Sequence, residues 1–423
     1  MALLAGCVTL SAQRLSVGGY GEVALSRNFY SDNVYRYSTA GAYAKDPGHG
    51  RFDIPHAVIY LGYDFGKGWT MQTEIEFEHT GTGAAVEKEF EEAGEWETEI
   101  EKGGEVELEQ FWIQKSFFPE LNVRMGHIVV PVGGLNNAHE PLNFFNVYRP
   151  EGEYTILPST WHDTGISIWG QAGPWRYEAQ VVAGLDAFLF NRDNFVKNGA
   201  GSPYEFKVAN NYGLAARIDN TSVKGLRLGL SGYWGNSMHN SYPNDMQTTA
   251  RREEDGTYTI TDNKYKSLKG RTLIGAFDFA YRGHGWIVRG NADYGSLTDA
   301  YEISRLKRNG TSNNAPYQKS FVGKGAYAAG LEAGYDLFDR LVPVREQHLY
   351  VFARGERYNS FLPAEGQTDF PYTGRTVVSA GINWFPIPEI AVKCEYLHRF
   401  LSAQYNDEPA VNIGIVYQAF FKK

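Results

Sequence analysis

Between Ala57 and Phe77 the chain alternates with a period of two. Ala57, Ile59, Leu61, Tyr63 and Phe65 share one parity, Gly66-Lys67-Gly68 reverses the direction, and Trp69, Met71, Thr73, Ile75 and Phe77 continue the same face. The opposite parity carries Asp64, Thr70, Gln72, Glu74, Glu76 and Glu78. Such alternation describes strands with one oily and one wet side, and the tight connection makes them a hairpin. The pattern recurs. Trp175, Tyr177, Ala179, Val181 and Leu185 alternate with Arg176, Glu178 and Gln180 after Gly173-Pro174. Leu273, Gly275, Phe277, Phe279 and Tyr281 lead into Gly283-His284-Gly285, and Trp286, Val288, Ala292 and Tyr294 lead away, opposite Arg289, Asn291 and Asp293. Further pairs flank residues 118–120, 220–224, 338–347 and 386–388. With a first strand near Arg14–Arg27 and a last near Pro409–Phe421, about 16 strands are expected, an even number suited to closure.

The connections have a sidedness. Long polar loops at residues 28–51, 80–104, 131–162, 187–210, 235–269, 296–322 and 359–374 all fall at one end, where only 401–408 is short. A two-sheet sandwich would want short connections at both ends. The expected fold class is therefore all-β, a closed antiparallel transmembrane β-barrel with short periplasmic turns and long extracellular loops.

Composition agrees. The chain of 423 residues holds 28 Tyr, 25 Phe, 9 Trp and 47 Gly, the residues that sheet surfaces and tight turns consume. A formal charge of -9 offers no basic face, so no nucleic-acid partner is expected. No apolar run is long enough for a transmembrane helix, which leaves a barrel open because its strands show only alternate residues to lipid. Trp69, Trp175 and Trp286 each open a strand just after a short turn, and Trp384 closes one, at positions suited to an aromatic girdle. Residues 1–13, MALLAGCVTLSAQ, read as a signal-peptide remnant, with Leu4-Ala5-Gly6-Cys7 as a lipobox alternative in which Cys7 carries lipid. Residues 14–423 then form a single barrel domain. Its one remaining cysteine, Cys394, is expected as a small apolar side chain.

The last segment alternates through Val411, Ile413, Ile415, Tyr417, Ala419 and Phe421, close to the terminal aromatic by which the outer-membrane assembly machinery recognises barrels. Residues 126–170 contain Val130-Pro131-Val132-Gly133 with Asn136, then Tyr148-Arg149-Pro150-Glu151, then Leu157-Pro158-Ser159-Thr160-Trp161 leading to Asp163-Thr164-Gly165. This stretch resembles the phosphate-selective porins O and P in their Bacteroidetes-type form. The resemblance implies a barrel of the bacterial outer membrane, embedded in its lipid, commonly a homotrimer, whose third extracellular loop folds inward as a constriction. By that analogy residues 131–162 form the constriction loop, and Asn136, Asn137, His139, Glu140, Arg149, Glu151, Glu153, Trp161 and His162 lie at or near the eyelet.

Phosphate-selective members line their pores with an arginine ladder and a lysine cluster. The inward parity here gives Glu22, Asp64, Glu74, Glu76, Glu78, Glu178, Asp219, Asp278, Asp293, Glu332, Asp336, Glu356 and Glu395 against Arg124, Arg176, Arg217, Arg227, Arg282, Arg289, Arg354, Lys393 and Arg399. This mixed lining places a transverse field across a pore and leans toward cations. The glutamate run from Glu87 to Glu109 has no calcium-loop spacing and is expected as a solvated loop entering the fourth strand. Gly165-Ile166-Ser167-Ile168-Trp169 lacks a nucleophile elbow's second glycine, and His139-Glu140 lacks a zinc helix's partner histidine. No catalysis, cofactor or metal is expected. The function expected is passive diffusion of small hydrophilic solutes or ions through a water-filled channel. The alternative is a plugged barrel acting as an adhesin or phage receptor.

Overall fold

The computed structural model describes residues 14–79, 86–90, 96–100, 105–158, 160–202, 207–238, 240, 248–262, 266–305, 321–341 and 346–422. Sixteen antiparallel strands run in chain order around a ring, each paired with its neighbours in sequence. The ring closes where the first strand, Arg14–Asn28, pairs with the last, Glu408–Lys422, from Val17 opposite Lys422 to Asn28 opposite Ala410. Closure satisfies every strand edge, as a lipid environment demands.

The expected parity holds through the hairpins. In Trp69–Glu78 the inward Glu74 and Glu76 are buried while Trp69 is exposed. In Trp175–Val182 and Arg271–Gly283 exposed and buried positions alternate strictly over most of the length. The outer surface carries Ile59, Leu61, Phe111, Ile113, Leu230, Phe277, Leu331, Ile413 and Ile415, all exposed, as an apolar band. Trp69, Trp175, Trp286 and Trp384 are 42 to 47% exposed beside the short turns. Trp234, also exposed, occupies the long-loop end of its strand. The turn at Gly66-Lys67-Gly68 has positive φ at all three positions, which is why glycine brackets the lysine.

Several expectations change. Leu185 lies beyond its strand and is fully buried in an apolar cluster, because the chain turns inward after Val182. Two loops expected to be irregular contain hairpins, Val86–Phe90 with Trp96–Ile100 and Thr248–Arg252 with Tyr258–Asp262. His49–Asp53 extends the first strand's sheet beyond the rim, and a short helix, Phe338–Leu341, occupies the connection after the twelfth barrel strand. Within the glutamate run, expected as a loop entering the fourth strand, Glu105, Glu107 and Glu109 lie in that strand, Glu105–Phe118. Ser159 and residues 1–13 lie outside the described residues.

Candidate functional site

The fifth strand ends at Val129 and the sixth begins at His162. The 32 residues between them turn into the barrel. Asn136 pins the neck of this excursion: its Nδ2 donates to the carbonyls of Val130 (2.5 Å) and Trp161 (3.1 Å), and its Oδ1 accepts from the Trp161 amide (2.5 Å). The Val130 amide donates to the Trp161 carbonyl at 2.8 Å, so both ends of the loop are joined. Val130, Val132, Ile156, Leu157 and Trp161 pack with Leu185, Phe190, Phe195, Tyr233 and Ile274, an apolar wedge holding the loop against one wall. The Trp161 and Tyr233 rings lie 5.0 Å apart.

The loop then spans to the far wall. The Phe145 amide donates to Glu332 at 3.1 Å, and Asn146 donates to Ser379 at 2.8 Å and Glu395 at 2.7 Å. The Gly152 amide donates to Glu356 at 2.8 Å. Lys393, fully buried, gives its ammonium to the carbonyls of Pro141 (2.5 Å), Phe144 (2.8 Å) and Asn146 (2.9 Å), so a wall cation holds three loop carbonyls at once. Glu153 accepts from the amides of Gly134 (3.1 Å), Leu135 (2.8 Å) and Asn136 (3.4 Å). Burial, reinforced by Asp278, nevertheless pushes its carboxyl up to about 7.

Two cavities flank the loop. One of about 210 Å³, toward the short turns, is lined by Leu135, Phe144, Pro150 and Glu153 of the loop and by Arg227, Asp278, Arg289, Asn291, Glu332 and Arg354 of the wall. The other, about 320 Å³ and toward the long loops, meets Asn146, Tyr148, Arg149, Pro150, Glu151 and Tyr154 together with Arg51, Asp53, Glu78, Glu356, Glu395 and Arg399. Pro150 lines both. Of the nine expected eyelet residues, Arg149, Glu151 and Glu153 border these cavities. Burial opposes charge on Glu151, yet Arg399 beside it holds its carboxyl below the usual range. Lys197, whose ammonium sits 3.1 Å from the Tyr154 ring centroid, is pushed down to about 7 by burial and by Arg149.

The other six border neither cavity. Asn136 and Trp161 form the neck, Asn137 donates to the Gly133 carbonyl at 2.8 Å, and Glu140 accepts from Asn143 at 2.7 Å. His139 is buried, and His162, opening the sixth strand, meets His127 at 2.6 Å. Tyr148, Pro150 and Tyr154 were missed as lining residues; the Tyr148-Arg149-Pro150-Glu151 run was the signal that contained two of them.

Of the residues assigned inward, Glu74, Glu76, Glu78, Arg124, Arg176, Glu178, Arg289, Asp293, Arg354, Glu356, Lys393 and Glu395 are expected to line the lumen; they lie on inward faces, but most are engaged. Arg176 pairs with Glu178 (2.7 Å), Arg289 with Glu332 (2.6 Å) and Arg354 with Glu356 (2.8 Å). Arg124 donates to Gln114 and lies over Trp112, and Asp293 accepts from Asn291 at 2.6 Å. Glu395 accepts from Asn412 at 2.7 Å. Glu74 and Glu76 are buried, whereas Glu78 borders the outer cavity. Asp293 is only 4% exposed.

No family model matches the chain. An uncharacterized protein of Aquifex aeolicus is 26% identical over 386 residues, covering 90% of this chain and 75% of that one. Among solved structures, the outer-membrane channel DcaP of Acinetobacter baumannii aligns over 98% of this chain and all of its own, with a TM-score of 0.52 and 10% identity. OprB of Pseudomonas putida aligns over 97% and 94%, TM-score 0.51, 11% identity. The anion-selective porin of Comamonas acidovorans aligns over 96% and 100%, TM-score 0.50, 9% identity. The chain thus has the closed 16-stranded fold of bacterial outer-membrane porins.

Proposed function

We propose that this chain is an outer-membrane porin through which small hydrophilic solutes or ions diffuse passively, with residues 131–162 as its constriction. The observation that carries the reading is the loop itself: it crosses the lumen, is tied to opposite walls, and has on each side a cavity with charged residues in its lining. A plugging segment would be expected to bury its faces against the wall all round, whereas here the loop has a cavity on either side and Pro150 lines both. Around the outer cavity Asp53, Glu78, Glu151, Glu356 and Glu395 outnumber Arg51, Arg149 and Arg399, which favours cations at that mouth. Around the inner cavity Asp278 and Glu332 face Arg227, Arg289 and Arg354, with Glu153 holding its proton up to about pH 7. A homotrimer inserted through its C-terminal strand, as the resemblance to phosphate-selective porins implies, belongs to the same reading. Purified protein in a planar bilayer is expected to give stepwise single-channel conductance. A folded barrel that conducts nothing would replace this reading with the adhesin or phage-receptor alternative.

A further inference from the structure

The fourth strand carries a β-bulge. Opposite the third strand Glu74 pairs with Gln110, but Ile75 pairs with Leu108, so Glu109 is the additional residue. A bulge re-aims side chains, and this one turns both Glu109 and Gln110 toward Glu74 at the inner wall. His139, from the inward loop, closes over them. Nδ1 of His139 lies 3.1 Å from the Asn136 carbonyl, an acceptor, so that nitrogen carries the proton and Nε2 presents a lone pair. Glu74 uses Oε2 to accept from Gln110, and Glu109 uses Oε1 to accept from Thr160.

Each of the three side chains therefore has one atom held by a neighbour and one with none. The three remaining atoms, Glu74 Oε1, Glu109 Oε2 and His139 Nε2, have no hydrogen-bond partner, and the three residues bring one ligand atom each within 4.8 Å of one another. All three residues are more than nine-tenths buried, at 1%, 1% and 6% exposure. Two carboxylate oxygens turned toward each other away from water are costly unless a cation or a shared proton lies between them. The 3.8 Å from His139 Nε2 to Glu74 Oε1 is too long for a hydrogen bond. It is close to the roughly 3.4 Å that separates two ligands of a tetrahedral ion bound at about 2.1 Å.

We propose that Glu74, Glu109 and His139 bind one divalent first-row transition ion of the zinc class, which staples the inward loop to the barrel wall. An imidazole nitrogen with two carboxylates suits such an ion better than calcium or magnesium, which take oxygen ligands in larger number. The carbonyl behind Nδ1 is the outer partner that metal-bound histidines ordinarily have. The neighbouring group of His56, Glu76 and Glu78 is less suited: Nδ1 of His56 contacts Glu22, and Glu76 Oε1 already accepts from Tyr20 at 3.2 Å.

Zinc chloride titrated calorimetrically into the full-length barrel, stripped with EDTA and dialysed in detergent, is expected to bind at one ion per chain with a micromolar or lower Kd. His139→Gln and Glu109→Gln should each weaken binding at least about 100-fold, and His284→Gln, at an exposed short turn, should leave it unchanged. X-ray absorption of the zinc-loaded wild type should show one imidazole nitrogen among oxygen ligands, a readout that survives a variant's failure to fold. The proposal is overturned if the wild type binds no zinc below about 1 mM. It is equally overturned if both substitutions leave affinity intact or if the spectrum shows several imidazoles. In those cases the two glutamates share a proton. None of these readouts depends on conduction.

Discussion

Glu153 illustrates how a single loop residue couples to the whole inner surface. Its carboxyl is raised to about 7 by burial and Asp278, against an ordinary value of 4.5. The folded state thus holds a proton that the unfolded chain releases between those values. Stability from this group is fully present below about pH 4.5 and is lost as pH rises through 7, by about 3 kcal/mol in total. Denaturant unfolding in detergent should therefore show stability falling between pH 4.5 and 7, and Glu153→Gln should flatten that slope. Asn136→Ala should cost about 1 to 3 kcal/mol, since it leaves the Trp161 amide without its acceptor at a buried site and takes one donor each from the Val130 and Trp161 carbonyls, which keep only a backbone amide. Of these roles, the sequence carried only the residue types. Asn136 stood out through resemblance, but its job as a clamp depends on Val130 and Trp161 meeting, which no local pattern records. Glu74, Glu109 and His139 were equally invisible as a group, because a bulge and a returning loop bring them together across 65 residues.

Elements were far more legible. Period-two alternation is a property of neighbouring residues, so strand faces, short turns and girdle tryptophans could be read directly. Phe277→Arg or Ile413→Arg should hinder folding into lipid bilayers by roughly 2 to 4 kcal/mol near the midplane. The inward control is better placed at Gln72 than at Asp293, which lies nearly fully buried inside the barrel; Gln72→Arg should fold normally, and equal losses at all three sites would refute the register. The hairpin of residues 86–90 and 96–100 was missed because each segment is only five residues long and its alternation, Val86 and Phe90 against Glu87 and Glu89, lies inside a glutamate run that reads as solvated loop. The inward loop offers a sharper test. Lys393→Met removes the cation that holds the carbonyls of Pro141, Phe144 and Asn146, so single-channel conductance should become larger and noisier. A clean deletion within Asn136–Glu153 should raise it further.

At the scale of the whole molecule, selectivity depends on which charges remain uncommitted. Arg217 is tied to Asp219 and Asp278, and Arg227 to the same pair, so much of the basic lining is neutralised in place. The acidic surplus sits toward the long loops, within a Debye length of about 8 Å of the outer cavity at physiological ionic strength. Reversal potentials in a salt gradient should show a modest cation preference. Glu78→Gln with Asp53→Asn should shift it toward anions, more at low salt than at high, whereas a native channel strongly preferring anions would show the paired arginines to dominate.

The seam between the first and last strands has a further consequence for how the polypeptide can be ordered. Val17 lies opposite Lys422, so the two ends of the ring adjoin at the short-turn rim. Connectivity around the ring is then arbitrary in the sense that any tight reversal at that rim is topologically equivalent to this junction. A circular permutant that joins residue 422 to residue 14 through a short glycine-serine bridge and opens the chain at His284 should reach the same cylinder. Its compact, heat-modifiable migration in gels would show it. It should reach that state along a different route, because the most sequence-distant pairing in the natural order becomes a local hairpin and a formerly adjacent pair becomes the last to meet. Comparing the two refolding rates would separate the time needed to close the ring from the time needed to seat the loop inside it.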